Sequence, residues 1–406
     1  MNVLANLIFP HFPTTLALGA ALGEWVLWCW FHGPPATLLA HVLVPLALLG
    51  ANRVAAAGCQ VEPTASPVRA RLGATALGLG FTAFAGASAL AVAAVVWGLL
   101  DWLLTLPAPA TAADGLAAAA AILPAFRPIG TVAVSAGVTI MANGYLRGHR
   151  RLRIVRLEVV VPGLPAALAG LRIAQVSDLH VGPLAHRGAL HEAFDRVMAL
   201  APDVVCVTGD IADSPATDLS VWVPELARLH ARHGVFVILG NHDRDAGIEA
   251  VAAALLGGTG WRLLRDEVAQ VEVGGACLHI VGLEDRDTPD EAHALPALLA
   301  SIPMGEPRLL LAHKPDVFGV AARAGVPLTL AGHTHGGQVA LPGLPRLNPA
   351  RLLMTAFDGG TYTRPGAVLH VSRGLGVSGQ RVRVGVPREI AVITLRPASP
   401  SASPSA

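Results

Sequence analysis

Two textures of apolar and polar residues divide the chain near residue 148. Before that point, apolar runs at residues 14–31, 36–55, 74–99 and 129–145 contain few charges. Each comes near the ~20 residues a helix needs to cross a hydrocarbon core, the fourth being the shortest. A further apolar stretch at 116–126 is too short to cross alone, and it either lies against an outer face or extends the fourth run. After residue 150 the pattern shortens. Mainly apolar runs at 171–176, 204–207, 235–239, 309–312 and 328–331 predict buried strands. Helical stretches at 190–200, 223–231, 248–256 and 292–300 fall among them, as an α/β layered domain requires. Later strands expected at 337–341, 367–371 and 389–395 come without intervening helices, so the sheet structure is expected to be mixed. The last residues are only Pro, Ser and Ala, a composition that cannot build a core and predicts disorder. The organisation expected is therefore an α-helical membrane domain of about four helices at 1–148, an α/β domain at 149–397 and a disordered tail at 398–406.

Composition sharpens this division. A hydrophobic fraction of 53% and a charged fraction of 14% depart from soluble averages, and the excess lies before residue 147. A net charge of +1 argues against a large polyanion, so no nucleic-acid partner is expected. Trp25, Trp28, Trp30, Trp97 and Trp102 cluster toward the ends of apolar runs, where amphipathic rings prefer the interface. Arg53, Arg69 and Arg71 follow the second run, and Arg147, Arg150, Arg151, Arg153 and Arg156 follow the fourth. By the positive-inside rule both sets face the cytoplasm, and with them both termini and the second domain. A secretory leader is disfavoured, because residues 1–13 carry no Lys or Arg and Glu24 interrupts the run that follows. Cys29, Cys59, Cys206 and Cys277 show no close pairing, as expected of free thiols in a reducing compartment. Glu24 and His41 are the polar exceptions inside the apolar runs; Glu24 falls about two turns from a run end and His41, if neutral, can hydrogen-bond a neighbouring helix, readings favoured over a transport role. Gly78, Gly80, Ala83 and Gly86 in the third run suit close helix packing.

The chemistry lies at the predicted strand ends. Asp178-Leu179-His180, Gly209-Asp210, Gly240-Asn241-His242-Asp243, His313 and Gly332-His333-Thr334-His335 each begin within two residues of a strand run. In layered α/β folds the carboxyl ends of neighbouring strands converge on one edge, so residues distant in sequence meet there. Hydrolysis of a phosphate ester at neutral pH needs a nucleophile made from water and neutralisation of phosphoryl charge. Two divalent cations ~3.5–4 Å apart supply both. Asp178 and His180, one residue apart in an extended segment, leave the same face and can reach one cation. Asp210, after a glycine that lets the backbone turn sharply, suits a bridge, and Asn241 offers a neutral oxygen. His333 and His335 repeat the one-residue spacing but, in a turn, can serve different cations. Taken singly, an Asp-x-His is more often a cap and a lone His a satisfied histidine; the ordered set is what carries the signal.

This ordered set resembles the calcineurin-like metallophosphoesterase superfamily over roughly residues 152–396. The resemblance implies a sandwich of two mixed β-sheets flanked by helices and two divalent ions per chain. It implies one ion on Asp178, His180, Asp210 and His335, and the other on Asp210, Asn241, His313 and His333. His242 takes a substrate-side catalytic role, with Asp243 orienting it through a hydrogen bond and Arg244 contacting a phosphate oxygen. The donor mixture without thiolate suits Mn²⁺, Fe or Zn²⁺. Ser177-Asp178-Leu179-His180, His313-Lys314-Pro315-Asp316, His333-Thr334-His335-Gly336-Gly337-Gln338 and Ser372-Arg373-Gly374-Leu375-Gly376 are similar to bacterial membrane-associated phosphodiesterases acting on lipid or envelope substrates. That likeness implies an inner-membrane enzyme facing the cytoplasm, acting on a phosphorylated small molecule or lipid; the oligomeric state is left open. A protein phosphatase is the weaker reading, since Gly209-Asp210-Ile211-Ala212-Asp213-Ser214 and a terminal Asp243 depart from that group's text. A transporter or sensor with a metal- or nucleotide-binding domain is the other alternative, and the filled ligand set weighs against it.

Overall fold

In the computed structural model the described residues are 12–32, 38–59, 72, 75–76, 78–80, 82–91, 93–94, 112–182, 185–213, 217–286, 292–341 and 343–398. The chain divides into two compact units, with the change between Arg147 and Gly148.

The N-terminal unit is helical. Helices α1 (Phe12–His32), α2 (Leu38–Cys59) and α3 (Ala112–Leu146) coincide with the first, second and fourth apolar runs. The third run, 74–99, lies partly outside the described residues, as does the side chain of His41. The stretch at 116–126 is not a separate element but the first part of α3, which runs unbroken for 35 residues. Among the described residues one helical stretch, Phe126–Arg150, is long and apolar enough to cross a membrane. Glycines allow close approach: a Cβ on Gly23 would lie 2.3 Å from the Cα of Phe84, and one on Gly80 would lie 2.6 Å from the Cβ of Ala20. Glu24 accepts a hydrogen bond from Asn52 Nδ2 at 2.9 Å, which gives it a helix-packing partner.

The second unit is a four-layer sandwich. One sheet contains β1 (Leu152–Val161), β2 (Arg172–Val176), β3 (Val204–Thr208), β4 (Val235–Ile238), β5 (Arg262–Leu263) and β12 (Arg388–Pro397), in the order β1-β12-β2-β3-β4-β5. The other contains β6 (Glu267–Val273), β7 (Ala276–Gly282), β8 (Arg308–Leu311), β9 (Leu328–Ala331), β10 (Gly360–Arg364) and β11 (Ala367–Val371), in the order β10-β11-β9-β8-β7-β6. Both are mixed: β2, β3 and β4 run parallel, as do β7, β8 and β9, while β12 is antiparallel to β2 and β6 to β7. Continuous apolar strands follow from this layering, because each central strand is covered on both faces. Val204, Cys206, Phe236 and Ile238 face Ile280, Leu309, Leu311, Leu328 and Leu330 between the sheets. Val205, Val207 and Val237 face outward onto Phe194 and Val197 of α4 (Arg187–Ala199) and onto Leu255. Fully burying such a side chain contributes about 1.5–3 kcal/mol.

The strand expected at 337–341 does not form. His335, Gly336, Gly337 and Gln338 all have positive φ, which a strand excludes, and the segment turns away after a short 3-10 turn. The helix expected at 223–231 is only Val223–Leu226.

A buried ion pair ties the sheets together beside the strand ends. His370 of β11 bonds Glu389 of β12 at 3.0 Å, both fully buried, and Arg373 contacts the other oxygen of Glu389. Burial opposes ionisation of Glu389, but the His370 hydrogen bond and the charges of His370 and Arg373 outweigh it and hold its pKa below the ordinary 4.5. A depressed carboxylate pKa contributes stability that is present above the unfolded value and lost as pH falls through the folded one. Glu389→Gln is therefore expected to flatten the fall in unfolding free energy below about pH 4.5. Denaturant titrations across that range check this, and an unchanged slope would refute it.

Candidate metal centre

The polar clusters meet where β2, β3, β4, β8 and β9 end. Asp178, His180, Asp210, His333 and His335 all adopt positive φ, between 43° and 71°. For residues with a Cβ this conformation costs of order 1–3 kcal/mol and persists only where the surroundings enforce it. Asp178 N donates to Gly209 O at 2.9 Å and His180 N to Asp210 O at 3.0 Å, which locks two of these loops together. Gly240 and Gly332 are required by space: a Cβ on Gly240 would lie 2.2 Å from Asp210 Oδ1, and one on Gly332 would lie 2.6 Å from Asp178 Oδ2.

Each carboxylate is gripped on one oxygen and presents the other. Asp178 Oδ1 accepts from His333 N at 2.9 Å, while its Oδ2 is buried without a hydrogen-bond partner. Asp210 Oδ1 accepts from His242 N at 2.9 Å. Its Oδ2 lies 3.5 Å from His180 Nε2 and 3.3 Å from His313 Nε2, so one atom reaches toward both halves of the centre. The histidines are aimed by their outer nitrogens. His313 Nδ1 donates to Thr208 O at 2.8 Å, and His180 Nδ1 faces the Asp213 carboxylate at 3.2 Å. In both rings this leaves Nε2 facing Asp210 Oδ2, where it could coordinate a cation. His180 Nε2 and His335 Nε2 converge to 2.9 Å.

These donors fit two cations. Asp178, His180 and His335 offer atoms within 4.8 Å of one another, and so do Asp210, His313 and His333. Asn241 Oδ1 and His313 Nε2 are buried without hydrogen-bond partners, a costly arrangement that a cation would relieve. Six of the seven expected ligand residues are thus brought together, and Asn241 follows Gly240, which packs against Asp210 Oδ1 and His313.

The electrostatics of the cluster agree. Burial opposes it, yet the charges of His313 and His180 beside it hold Asp210 well below the usual carboxylate range. Burial likewise opposes protonation of His313, but Asp210 and Asp178 push its pKa up to about 10. Burial and the neighbouring His313 charge lower His333 to about 3, and burial with His180 and Arg383 holds His335 well below the histidine range. His333 and His335 are therefore held neutral, the form that binds metal, whereas His313 must release its proton as a cation enters.

The residues after Asn241 are arranged differently from expectation. Asp243 does not orient His242. It is fully buried, and its oxygens accept from Ala212 N at 2.8 Å and Gly240 N at 2.9 Å, closing the junction between β4 and the short helix α5 (Asn241–Asp245). His242 Nδ1 instead bonds the backbone oxygen of Asp213 at 2.8 Å, leaving Nε2 3.5 Å from Ser378 Oγ. Arg244 is ion-paired to Asp285 at 2.9 Å, and Lys314 reaches the same carboxylate at 3.3 Å. Asp213, which bonds His180 by its side chain and His242 by its backbone, went unread; its place three residues after Asp210 was the available signal. Arg383, fully buried and 3.4 Å from His335 Nδ1, left no pattern in the sequence.

Residues 171–337 match the calcineurin-like phosphoesterase family. The chain is 29% identical over 288 residues to a transmembrane protein with metallophosphoesterase domain from Bos taurus, covering 68% of this chain and 63% of that protein. It is 30% identical over 266 residues to a protein of the same description from Danio rerio, covering 63% and 60%. An uncharacterized metallophosphoesterase from Bacillus subtilis (strain 168) is 31% identical over 242 residues, covering 57% of this chain and 82% of that one. The chain thus spans somewhat less than two thirds of the two vertebrate relatives.

Proposed function

The chain belongs to the calcineurin-like phosphoesterase family, and from that membership and the site geometry we propose that it is a membrane-anchored, dinuclear metal-dependent hydrolase of phosphodiester or pyrophosphate bonds. The reading is carried by Asp210 Oδ2, which stands between His180 Nε2 and His313 Nε2. Asp178, His180, Asp210 and His335 would hold one cation, and Asp210, Asn241, His313 and His333 the other. When bound, Mn²⁺, Fe or Zn²⁺ supplies Lewis acidity toward the phosphoryl oxygens and lowers the pKa of water. His242, with Nδ1 fixed on Asp213 O, has Nε2 available to give a proton to the leaving oxygen. Arg244, ion-paired to Asp285, would contact a phosphate oxygen.

The substrate class follows from the N-terminal unit. Residues 1–148 form the anchor, and the catalytic unit faces the cytoplasm at the inner membrane. Arg147, Arg150, Arg151, Arg153 and Arg156 are all exposed, as a segment lying among anionic headgroups requires. Anchoring raises the effective concentration of a bilayer-confined substrate, so a lipid-linked or cell-envelope phosphodiester or pyrophosphate is favoured. The relatives described as transmembrane proteins support the anchor.

The test is turnover of a chromogenic phosphodiester by the purified full-length chain with Mn²⁺. His242→Gln is expected to lower kcat by about 10²–10³-fold, the range of a general acid, while metal content stays at the unsubstituted level. Absence of turnover by the unsubstituted chain with both cations bound would overturn the reading.

A further inference from the structure

A second group of potential metal donors lies on β7 and the segment before β8, away from the candidate metal centre. We propose that Cys277, His279 and Glu306 form a site for one additional divalent transition-metal ion, with Zn²⁺ as its preferred occupant. Cys277 and His279 are two residues apart on a strand, so both leave the same face of the sheet. His279 N donates to Pro307 O at 2.9 Å, which brings the segment before β8 alongside and places Glu306 against the ring. The donor atoms of all three residues lie within 4.8 Å of one another.

The surroundings fit a cation better than an ordinary ion pair. His279 is 1% exposed, its Nε2 contacts Glu306, and its Nδ1 is buried without a hydrogen-bond partner. Glu272 is the cross-strand neighbour of Cys277, so a second carboxylate stands over the thiol. Burial, then Glu306 and Glu272, raise the Cys277 pKa, and a bound divalent ion reverses the repulsion those carboxylates exert on a thiolate. A thiolate, a carboxylate and a neutral imidazole together balance the charge of one divalent cation. The thiolate also sets the selectivity. Sulfur favours Zn²⁺ over Mn²⁺ or Mg²⁺, whereas the dinuclear centre contains only nitrogen and oxygen donors. With three protein donors, the tetrahedral preference of Zn²⁺ leaves a fourth position for water or Glu272.

The two sites occupy opposite ends of the sheet. Cys277 is near the start of β7, roughly 16 Å along the strand from Gly282 at its carboxyl end. A cation here fastens β7 to the segment that enters β8, the strand that leads on to His313. Binding to the folded state alone therefore raises the melting temperature.

Cobalt reports on this site without interference, because a sulfur-to-cobalt charge-transfer band requires a thiolate ligand. Titration of the metal-stripped full-length chain with Co²⁺ is expected to produce that near-ultraviolet band, saturating at one equivalent for this site and bleached by added Zn²⁺. The band is expected to persist in Asp210→Asn, to vanish in Cys277→Ser, and to need at least tenfold more Co²⁺ in Glu306→Gln. Cys277→Ser is close to isosteric at a partly exposed position, so it leaves the fold intact. No band in the unsubstituted chain, or a band that survives Cys277→Ser, would overturn the assignment and leave His279 and Glu306 as an ion pair only.

Discussion

Asp210→Asn is expected to lower kcat for phosphodiester hydrolysis by about a thousandfold or more, which corresponds to about 4 kcal/mol of lost transition-state stabilisation. The substitution changes little in shape. The amide oxygen can still accept the His242 N–H that Asp210 Oδ1 holds at 2.9 Å, so α5 keeps its place. The amide nitrogen then occupies the position of Oδ2, 3.5 Å from His180 Nε2 and 3.3 Å from His313 Nε2. A neutral N–H donor there replaces the anionic atom that would face both cations. His313 also loses the charge that pushes its pKa up to about 10, so its titration moves back toward the ordinary histidine value. Metal analysis of the purified variant is expected to show loss of one or both ions with a circular dichroism spectrum like that of the unsubstituted chain. Full metal content with undiminished turnover would remove Asp210 from the centre of the mechanism.

The second large effect is on stability. Arg383 is the largest fully buried side chain among the described residues, and its guanidinium is held by backbone oxygens. It donates to Arg373 O at 2.8 Å, Gly374 O at 3.3 Å, Gly376 O at 2.6 Å and Val386 O at 3.3 Å. Burial lowers its pKa to about 9, so it remains charged at neutral pH. The segment it gathers lies directly on the metal centre: Leu375 N donates to Ser177 O at 2.9 Å and Gly376 N to Asp178 O at 2.6 Å. A Cβ on Gly374 would come within 2.8 Å of the Asp178 Cβ. Arg383→Leu leaves this set of carbonyls buried without their donor, at an expected loss of about 3–5 kcal/mol. For a unit of this size that corresponds to a fall in melting temperature of roughly 10 °C. Thermal denaturation of the metal-free chain isolates this effect from cation binding. Arg383→Lys, with a single ammonium in place of the planar fork, is expected to fall between the two. A melting temperature unchanged in Arg383→Leu would show that water satisfies those carbonyls instead.

The legibility of the site differed from residue to residue for physical reasons. Asp178, Asp210, Asn241, His313, His333 and His335 could be read because each follows a strand whose apolar run is plain, and because their order is that of the strand ends. His242 lies beside the centre, with a donor atom within 4.8 Å of those of His180 and Asp210, but the group expected to orient it does not bond it. Asp243 is adjacent in sequence, yet helix α5 turns its carboxylate back onto the amides of Gly240 and Ala212. The oxygen that holds His242 comes from Asp213, on a loop from another strand. The segment 337–341, expected as a strand, instead follows a run of positive φ at residues 335–338. Two consecutive glycines after His335 allow a left-handed run that alternation cannot register.

What is encoded locally could be read from the residues: apolar runs long enough for the N-terminal helices, strands covered on both faces, and donors placed at strand ends. Those features follow from periodicity and side-chain chemistry, which act over a few residues. Tertiary structure alone decided which outer nitrogen each histidine commits, that one oxygen of Asp210 lies between two imidazoles, and that Arg383 reaches a set of carbonyls across a loop. These depend on sub-ångström placement of groups from separate strands. That placement is fixed by packing two six-stranded sheets against each other, and no short stretch of chain contains it.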